Sequence, residues 1–336
     1  MSLIDSIIPS QINTKYFCTL FDSNYLIKGV AMLRSLATHM PDSRTFVLCM
    51  DEFTYEILQK LSVHNIELIH LYEIEKEELL AIKGQRTKGE YCWTLTPYLP
   101  HYLLSNKLFI DEITYLDADL FFYSNPAEIF KEIKDAAISI IEHRFSPHLL
   151  ELEIKGKYCV EWVGFKRTPE GFACLKKWRS QCIEWCHHRL ENDRFGDQKY
   201  LDTWPSEYQS LHVIRHEGAG IAPWNYENYK FTEDRNGRIF SNNSLLIFYH
   251  FHQFQIIDLN IYDRMSSVYS LYMPPPDLIY EPYESAITST IKDIRLVCPR
   301  YSIGFKSSTK LKLQRLAQRS LSQGLKEKIK KYFPVV

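Results

Sequence analysis

The stretch Ile113-Thr114-Tyr115-Leu116-Asp117-Ala118-Asp119-Leu120-Phe121-Phe122 decides how this chain is read. Its first four residues suit a buried strand. Two carboxylates follow one residue apart, at the strand's carboxyl end, and an apolar run resumes at once. Burying two carboxylates in such a frame is costly unless a cation neutralises them. Hard oxygen donors suit Mg²⁺ or Mn²⁺. A turn carrying two solvated aspartates is the plain alternative for the same triplet.

Outward from this stretch, strand and helix signals alternate. Tyr16-Phe17-Cys18-Thr19-Leu20-Phe21 and Thr45-Phe46-Val47-Leu48-Cys49-Met50 read as buried strands. Each precedes a helical repeat, Leu26, Val30, Leu33 and Leu36 after the first, Phe53, Ile57, Leu58 and Leu61 after the second. Ile66-Glu67-Leu68-Ile69 is a third strand, and a helix is expected from about Pro97 to Ser105 after a polar stretch at 83–90. Beyond the acidic pair, residues 137–141 suit a strand and Phe172 to Trp185 a helix. The rest of the second half is short strands and loops. Such alternation predicts an α/β fold with a mostly parallel central sheet covered by helices. Parallel sheets bind ligands beyond their strands' carboxyl ends, where Asp117 and Asp119 fall.

The totals exclude several classes. With 336 residues there is room for one large domain. Net charge is −1, so nothing argues for wholesale nucleic-acid binding. Cysteines 18, 49, 92, 159, 174, 182, 186 and 298 fall largely in apolar surroundings and read as reduced thiols. Residues 1–10 lack a signal peptide's pattern, and no apolar run reaches membrane-spanning length, so a cytoplasmic protein is expected. Cys182-x-x-x-Cys186-His187-His188 invites a zinc reading. Cys174, Trp178, Cys182 and Cys186, however, recur every four residues, the spacing of one buried helix face.

The C-terminal segment differs. From Lys306 to Lys331 there are nine Lys or Arg against one acidic residue, Glu327. Leu313, Ala317, Leu321, Leu325, Ile329 and Phe333 form one apolar stripe. A basic amphipathic helix of this kind suits an anionic membrane surface, reached from the inner face of the plasma membrane, or docks on its own domain.

Tyr115-Leu116-Asp117-Ala118-Asp119 with Phe121-Phe122 resembles the metal motif of glycosyltransferases with the type A, Rossmann-like fold (GT-A). It is most similar to the retaining group that includes glycogenin and the bacterial lipopolysaccharide galactosyltransferases. Thr19 to Tyr25 resembles that group's first loop, Gly196-Asp197-Gln198 its Asp-Gln motif, and Tyr249-His250-Phe251-His252 the segment that gives the metal a histidine. The resemblance implies a single GT-A domain over 1–304, with a nucleotide-binding half at about 16–145 and an irregular acceptor half at 146–304. Residues 305–336 would be the basic terminal helix.

The resemblance also implies a hexosyltransferase acting on a nucleotide-diphosphate sugar, UDP-linked by preference, with retention, in bacterial surface-polysaccharide assembly. Its partners would be that donor and a glycan or lipid-linked acceptor. Mn²⁺ or Mg²⁺ would sit on Asp117, Asp119 and His250, with His252 the alternative ligand. Thr19, Phe21, Asp22, Tyr25, Asp51, Asp117 and Ala118 would meet the nucleotide, although Asp22 and Asp51 also suit helix caps. Asp197 and Gln198 would flank the transferred sugar as catalytic groups. Glu161, Trp224 and Asn225 would meet sugar or acceptor. The group's Lys-Pro-Trp after the late histidine is missing, which leaves the diphosphate without an assigned lysine. A sugar nucleotidyltransferase is a rival, but residues 21–29 contain only Gly29 where it needs a glycine-rich loop. A non-catalytic carbohydrate- or membrane-binding module is the other; it predicts damaged acidic motifs, and these are intact.

Overall fold

The computed structural model describes residues 14–264 and 269–306. The expected alternation is present. β1 (Tyr16–Phe21) leads to α1 (Leu26–His39), β2 (Arg44–Cys49) to α2 (Glu52–Lys60), and β3 (Ile66–His70) to the short α3 (Leu71–Ile74) and α4 (Glu77–Lys83). α5 (Lys88–Asn106), β4 (Glu112–Leu116), β5 (Leu120–Phe122), α6 (Ala127–Ile133), β6 (Ile138–Glu142) and β7 (Tyr158–Lys166) follow. Next come α7 (Pro169–Glu184), α8 (Trp204–Glu207) and β8 (Leu211–Ile214). β9 (Phe231–Glu233), β10 (Ile239–Ser241) and β11 (Ser244–Leu245) form a separate small sheet. β12 (Phe248–His250), β13 (Gln255–Asp258), β14 (Ile261–Asp263) and α9 (Asp277–Val297) complete the described chain.

The central sheet has seven strands in the order β3-β2-β1-β4-β7-β6-β8. Only β7 runs against its neighbours, so the sheet is mostly parallel, as the sequence predicts. Apolar residues on both faces of β1 and β2 are buried, as a sheet covered on both sides requires. One apolar cluster joins α1, α2 and α9 to one face, and another joins α5 and α7 to the other.

Two local features differ from expectation. α5 starts at Lys88, well before Pro97, because Thr87 and Glu90 form a reciprocal capping box that satisfies the first free N–H groups. Pro97 and Pro100 lie inside the helix, where packing against β1, β4 and α7 outweighs their lost hydrogen bonds. α7 begins at Pro169 behind a Thr168 cap, and its Cys174, Trp178 and Cys182 are buried, which favours core packing over zinc.

After α9 the chain returns to the first loop. The Tyr301 hydroxyl donates to the Ser23 carbonyl at 2.9 Å, and its ring stacks on Phe53. Gly304, at φ +84°, lies so close to Asn24 that a Cβ would fall 2.6 Å from its carbonyl oxygen. Phe305 bridges to Ile256, and the Lys306 N–H donates to the Ile256 carbonyl at 2.7 Å. The first two residues of the expected 305–336 segment are therefore held on the domain; the remainder, with its amphipathic stripe, lies outside the described residues. No helix among the described residues is long and apolar enough to cross a membrane.

Candidate active site

β4 ends at Leu116, and Asp117 is the first residue past it. The chain then turns into β5, which pairs antiparallel with β12 and sets Leu120 opposite His250. The pairing is extended by the Phe251 N–H, which donates to the Asp119 carbonyl at 2.8 Å. Phe122 and Phe248 pack ring to ring and hold the register. A residue 131 positions after Asp119 is thus delivered to it: His250 Nε2 lies 3.0 Å from Asp119 Oδ1 and 3.9 Å from Asp117 Oδ2. The other ring nitrogen, Nδ1, donates to Glu161 Oε2 at 2.7 Å. Glu161 sits on β7, fully buried, and its Oε1 has no partner among the described residues.

The charges are crowded. Burial, with the Asp119 and Glu161 carboxylates beside it, pushes Asp117 up to about 7. Burial also works to raise Asp119, but His250 and then Lys28 outweigh it and hold the carboxyl well below the usual range. Burial opposes a charge on His250 as well, yet Asp119 and Glu161 keep its proton well above the usual imidazole range. Lys28, from the first turn of α1, is buried with Nζ 3.7 Å from Asp119 Oδ2 and 4.9 Å above the Tyr25 ring. Three carboxylates thus face one lysine and one protonated histidine.

These residues fit a hard divalent cation. Donor atoms of Asp117, Asp119 and His250 lie within 4.8 Å of one another. The cluster carries surplus negative charge, and the Glu161–His250 bond is the support a ligating imidazole normally has on its far nitrogen. Cys159, Glu161 and His250 form a second close group. It is the poorer site, because burial pushes the Cys159 thiol up to about 12 and Nδ1 is already committed to Glu161. Among the described residues, Cys182, Cys186, His187 and His188 form no such cluster. His252, the alternative ligand, stands 5.7 Å from His250 ring to ring and bonds to the Tyr269 hydroxyl. Burial and the neighbouring His250 lower it to about 3.

Asp197 lies on the same side. It is buried, follows Gly196 at φ +53°, and its Oδ2 has no partner among the described residues. Burial first, then Asp117, pushes it up to about 7, while a hydrogen bond with Thr96 of α5 opposes the rise. The Tyr115 hydroxyl donates to Asp117 at 3.2 Å. Gln198, by contrast, has its amide donating to the Lys155 carbonyl at 3.0 Å.

In the first loop, Asp22 accepts from the Asn24 and Tyr25 N–H groups and pairs with Lys88. Asp51 caps α2 through Thr54 and accepts from the Ser23 N–H at 3.0 Å, so the helix-cap reading accounts for its carboxylate. Burial works to raise Asp51, but the bonds from Thr54 and Ser23 outweigh it and lower the carboxyl. Thr19 and Phe21, expected at the nucleotide, have buried side chains, and the Phe21 ring fills the space where a Cβ on Gly29 would lie. Ala118 is buried between the two aspartates.

The three residues expected to meet sugar or acceptor are buried. Glu161 is fully buried behind His250, to which it is hydrogen-bonded. The Trp224 indole N–H donates to the His143 carbonyl at 2.8 Å, with its ring edge-on to His250. The fully buried Asn225 amide donates to the His143 and Gly220 carbonyls and accepts from the Ala222 N–H. Both side chains build the floor under the site. Lys28, Thr96 and Tyr115 were not anticipated. The one available signal was Lys28, the single charge in Leu26-Ile27-Lys28-Gly29-Val30.

No family model matches the chain. Among solved structures it is similar to an active-site mutant of LgtC, at 14% identity over 82% of this chain and 95% of that one, TM-score 0.49. It is also similar to mouse xyloside xylosyltransferase 1, at 14% identity over 71% and 98%, TM-score 0.44. Among curated proteins, the uncharacterized protein YfnD of Bacillus subtilis (strain 168) is 34% identical over 301 residues, 87% of this chain and 95% of the relative. The uncharacterized protein YfnF of the same strain is 30% identical over 301 residues, 88% of this chain and 98% of the relative. Identity at that level over nearly the whole of each relative means that the chain belongs to the family of YfnD and YfnF.

Proposed function

We propose that the protein is a glycosyltransferase that moves a hexose-type sugar from a nucleoside-diphosphate donor, UDP-linked by preference, to a hydroxyl of a glycan or glycolipid. The observation that carries this reading is the convergence of Asp117, Asp119 and His250, braced by Glu161 and flanked by Lys28. Mn²⁺ or Mg²⁺ held by the first three would supply the charge that a departing diphosphate needs.

The chain's own groups divide the remaining work. Glu161 fixes the His250 ring so that Nε2 faces the two aspartates. Lys28 offers an ammonium beside Asp119, and takes the place of the lysine missing after the late histidine. The nucleoside lies over the carboxyl ends of β1 to β3, near Asp22 and Tyr25. There the cleft between Asp51 and His70 has a volume of about 230 Å³. In the transfer the bond from anomeric carbon to diphosphate oxygen breaks and one to the acceptor oxygen forms. The acceptor's hydroxyl proton leaves with the diphosphate. Asp197, whose buried Oδ2 has no partner among the described residues, is the group suited to bind hydroxyls of the transferred sugar and to face the positive charge at its anomeric carbon. Retention follows the resemblance noted in the sequence.

The nucleotidyltransferase alternative loses support, because Gly29 is packed against Phe21 inside α1 and forms no phosphate loop. The test is release of nucleoside diphosphate from a panel of UDP- and GDP-sugars, with and without Mn²⁺. Metal-dependent turnover of at least one donor is expected. If none is bound or hydrolysed, the reading fails.

A further inference from the structure

Cys186-His187-His188, which the sequence offers to zinc, has another use in the structure. α7 ends at Glu184, and the loop over residues 185–196 leads from it to Asp197. Arg86, just before the Thr87 cap of α5, donates through Nη2 to the Cys182 and Ile183 carbonyls at 3.3 and 3.0 Å. Both carbonyls belong to the last turn of α7, which has no partners for them within the helix. Arg86 Nη1 donates to His187 Nε2 at 2.5 Å. A guanidinium has no acceptor atom, so Nε2 accepts and the His187 proton sits on Nδ1. Nδ1 faces Glu90 Oε1 at 3.3 Å, and the His188 N–H donates to the same oxygen at 2.8 Å. Glu90 is buried, and its other oxygen closes the α5 cap by accepting from the Thr87 N–H. Burial first, then Arg86, lowers the His187 pKa, which keeps the ring neutral as this arrangement requires.

This strut reaches Asp197 through the main chain. The His187 carbonyl accepts from the Gly196 N–H at 3.0 Å, and Gly196 lies at φ +53° against the Trp93 ring of α5. The Trp178 indole N–H of α7 donates to the Asp197 carbonyl at 2.8 Å, and Thr96 of α5 bonds the carboxylate. Asn192 and Asp193, farther out in the loop, are at positive φ in a turn closed by the Glu191–Arg194 bridge. We propose that Arg86, His187 and Glu90 are positioning residues for Asp197. They pin the His187 main chain to the start of α5, the helix that also carries Thr96, so the Asp197 peptide and carboxylate are both referred to one rigid element. A reacting group displaced by about 1 Å can cost about 100-fold in rate, so the hold on this loop bears directly on turnover. The proposal rests on the glycosyl-transfer reading, in which Asp197 lies beside the transferred sugar.

His187→Ala breaks the strut without uncapping α5, whereas His187→Gln keeps an oxygen for Arg86 and an N–H for Glu90. Full-length wild type and both variants are compared by amide hydrogen exchange and by release of nucleoside diphosphate from UDP- and GDP-sugars with Mn²⁺. In His187→Ala, residues 187–197 should exchange about tenfold faster while residues 113–122 are unchanged. Its kcat should fall by at least about tenfold, with the donor KM within about threefold of wild type. His187→Gln should bring exchange and kcat back to within about threefold of wild type. Unchanged exchange in His187→Ala, or an unchanged kcat, overturns the positioning role. A loss in His187→Gln as large as in His187→Ala also overturns it, as does faster exchange throughout the chain, which marks a general loss of stability. If wild type releases no diphosphate from any donor, the glycosyl-transfer reading fails, and exchange at 187–197 alone decides the strut. Faster exchange in His187→Ala, restored in His187→Gln, then upholds it, and any other pattern overturns it.

Discussion

Replacing Glu161 with Gln isolates the support behind the candidate metal ligand without emptying the space it fills. Glu161 is fully buried and receives the His250 Nδ1 proton at 2.7 Å. A charge-assisted hydrogen bond of this kind is worth about 1.5–3 kcal/mol. The charge balance points the same way. With a divalent cation on a neutral His250, the carboxylates of Asp117, Asp119 and Glu161 balance the cation plus Lys28; with Gln one positive charge is left over. Loss of a supporting partner commonly weakens metal binding by about 10- to 100-fold, about 1.4–2.7 kcal/mol, in line with the hydrogen-bond figure. Without metal the effect on stability runs the other way, because Asp117 and Asp119 then face Lys28 and protonated His250 in balance. Calorimetric Mn²⁺ titration of wild type and Glu161→Gln, with melting of both in chelator, measures the two effects. An Mn²⁺ affinity within twofold of wild type, with the metal-free melting temperature unchanged, would refute the bracing role.

Asp119→Asn should abolish Mn²⁺-dependent nucleotide binding and also destabilise the metal-free protein by about 3 kcal/mol, because buried Lys28 loses its partner. Adding Lys28→Met should recover most of that loss in urea unfolding; additive losses would count against the pair. Asp51→Ala should cost about 1 kcal/mol at pH 7 by uncapping α2. The Asp51 carboxyl is lowered in the folded state, so its contribution is full above the unfolded pKa of about 3.9 and fades as pH falls below it. The gap between the two proteins should narrow as pH falls below that value, and a constant gap would contradict the assignment. Gly218→Ala would place a Cβ 1.9 Å from the Leu245 carbonyl oxygen and should cost at least about 2 kcal/mol by thermal unfolding.

Asp117 and Asp119 were legible because they interrupt an apolar run at the end of a strand, and the costs of burying charge are local. His250 was legible through its resemblance alone, since the register that delivers it to Asp119 belongs to two short strands far apart in the chain. Glu161 showed itself as a lone charge in an apolar strand, but its partner is 89 residues away, and it was given to the sugar. The partners of Trp224 and Asn225 were hidden for a related reason. Pro-Trp-Asn has the composition of an exposed turn, yet its polar atoms are used by carbonyls up to 82 residues earlier. The start of α5 was written locally in Thr87 and Glu90, and the two prolines drew attention from it.

The return of Tyr301 to Ser23, across 278 residues, bears on how this protein comes into being. The loop that would receive the nucleoside is synthesised well before Tyr301, one of its braces. Closing a contact over such a separation is slow compared with forming α1 or pairing β1 with β2. A growing chain therefore carries Asp117 and Asp119 while the first loop still lacks that brace. Nucleotide affinity should arrive as a late event in biogenesis, once residues 301–306 are free to fold back.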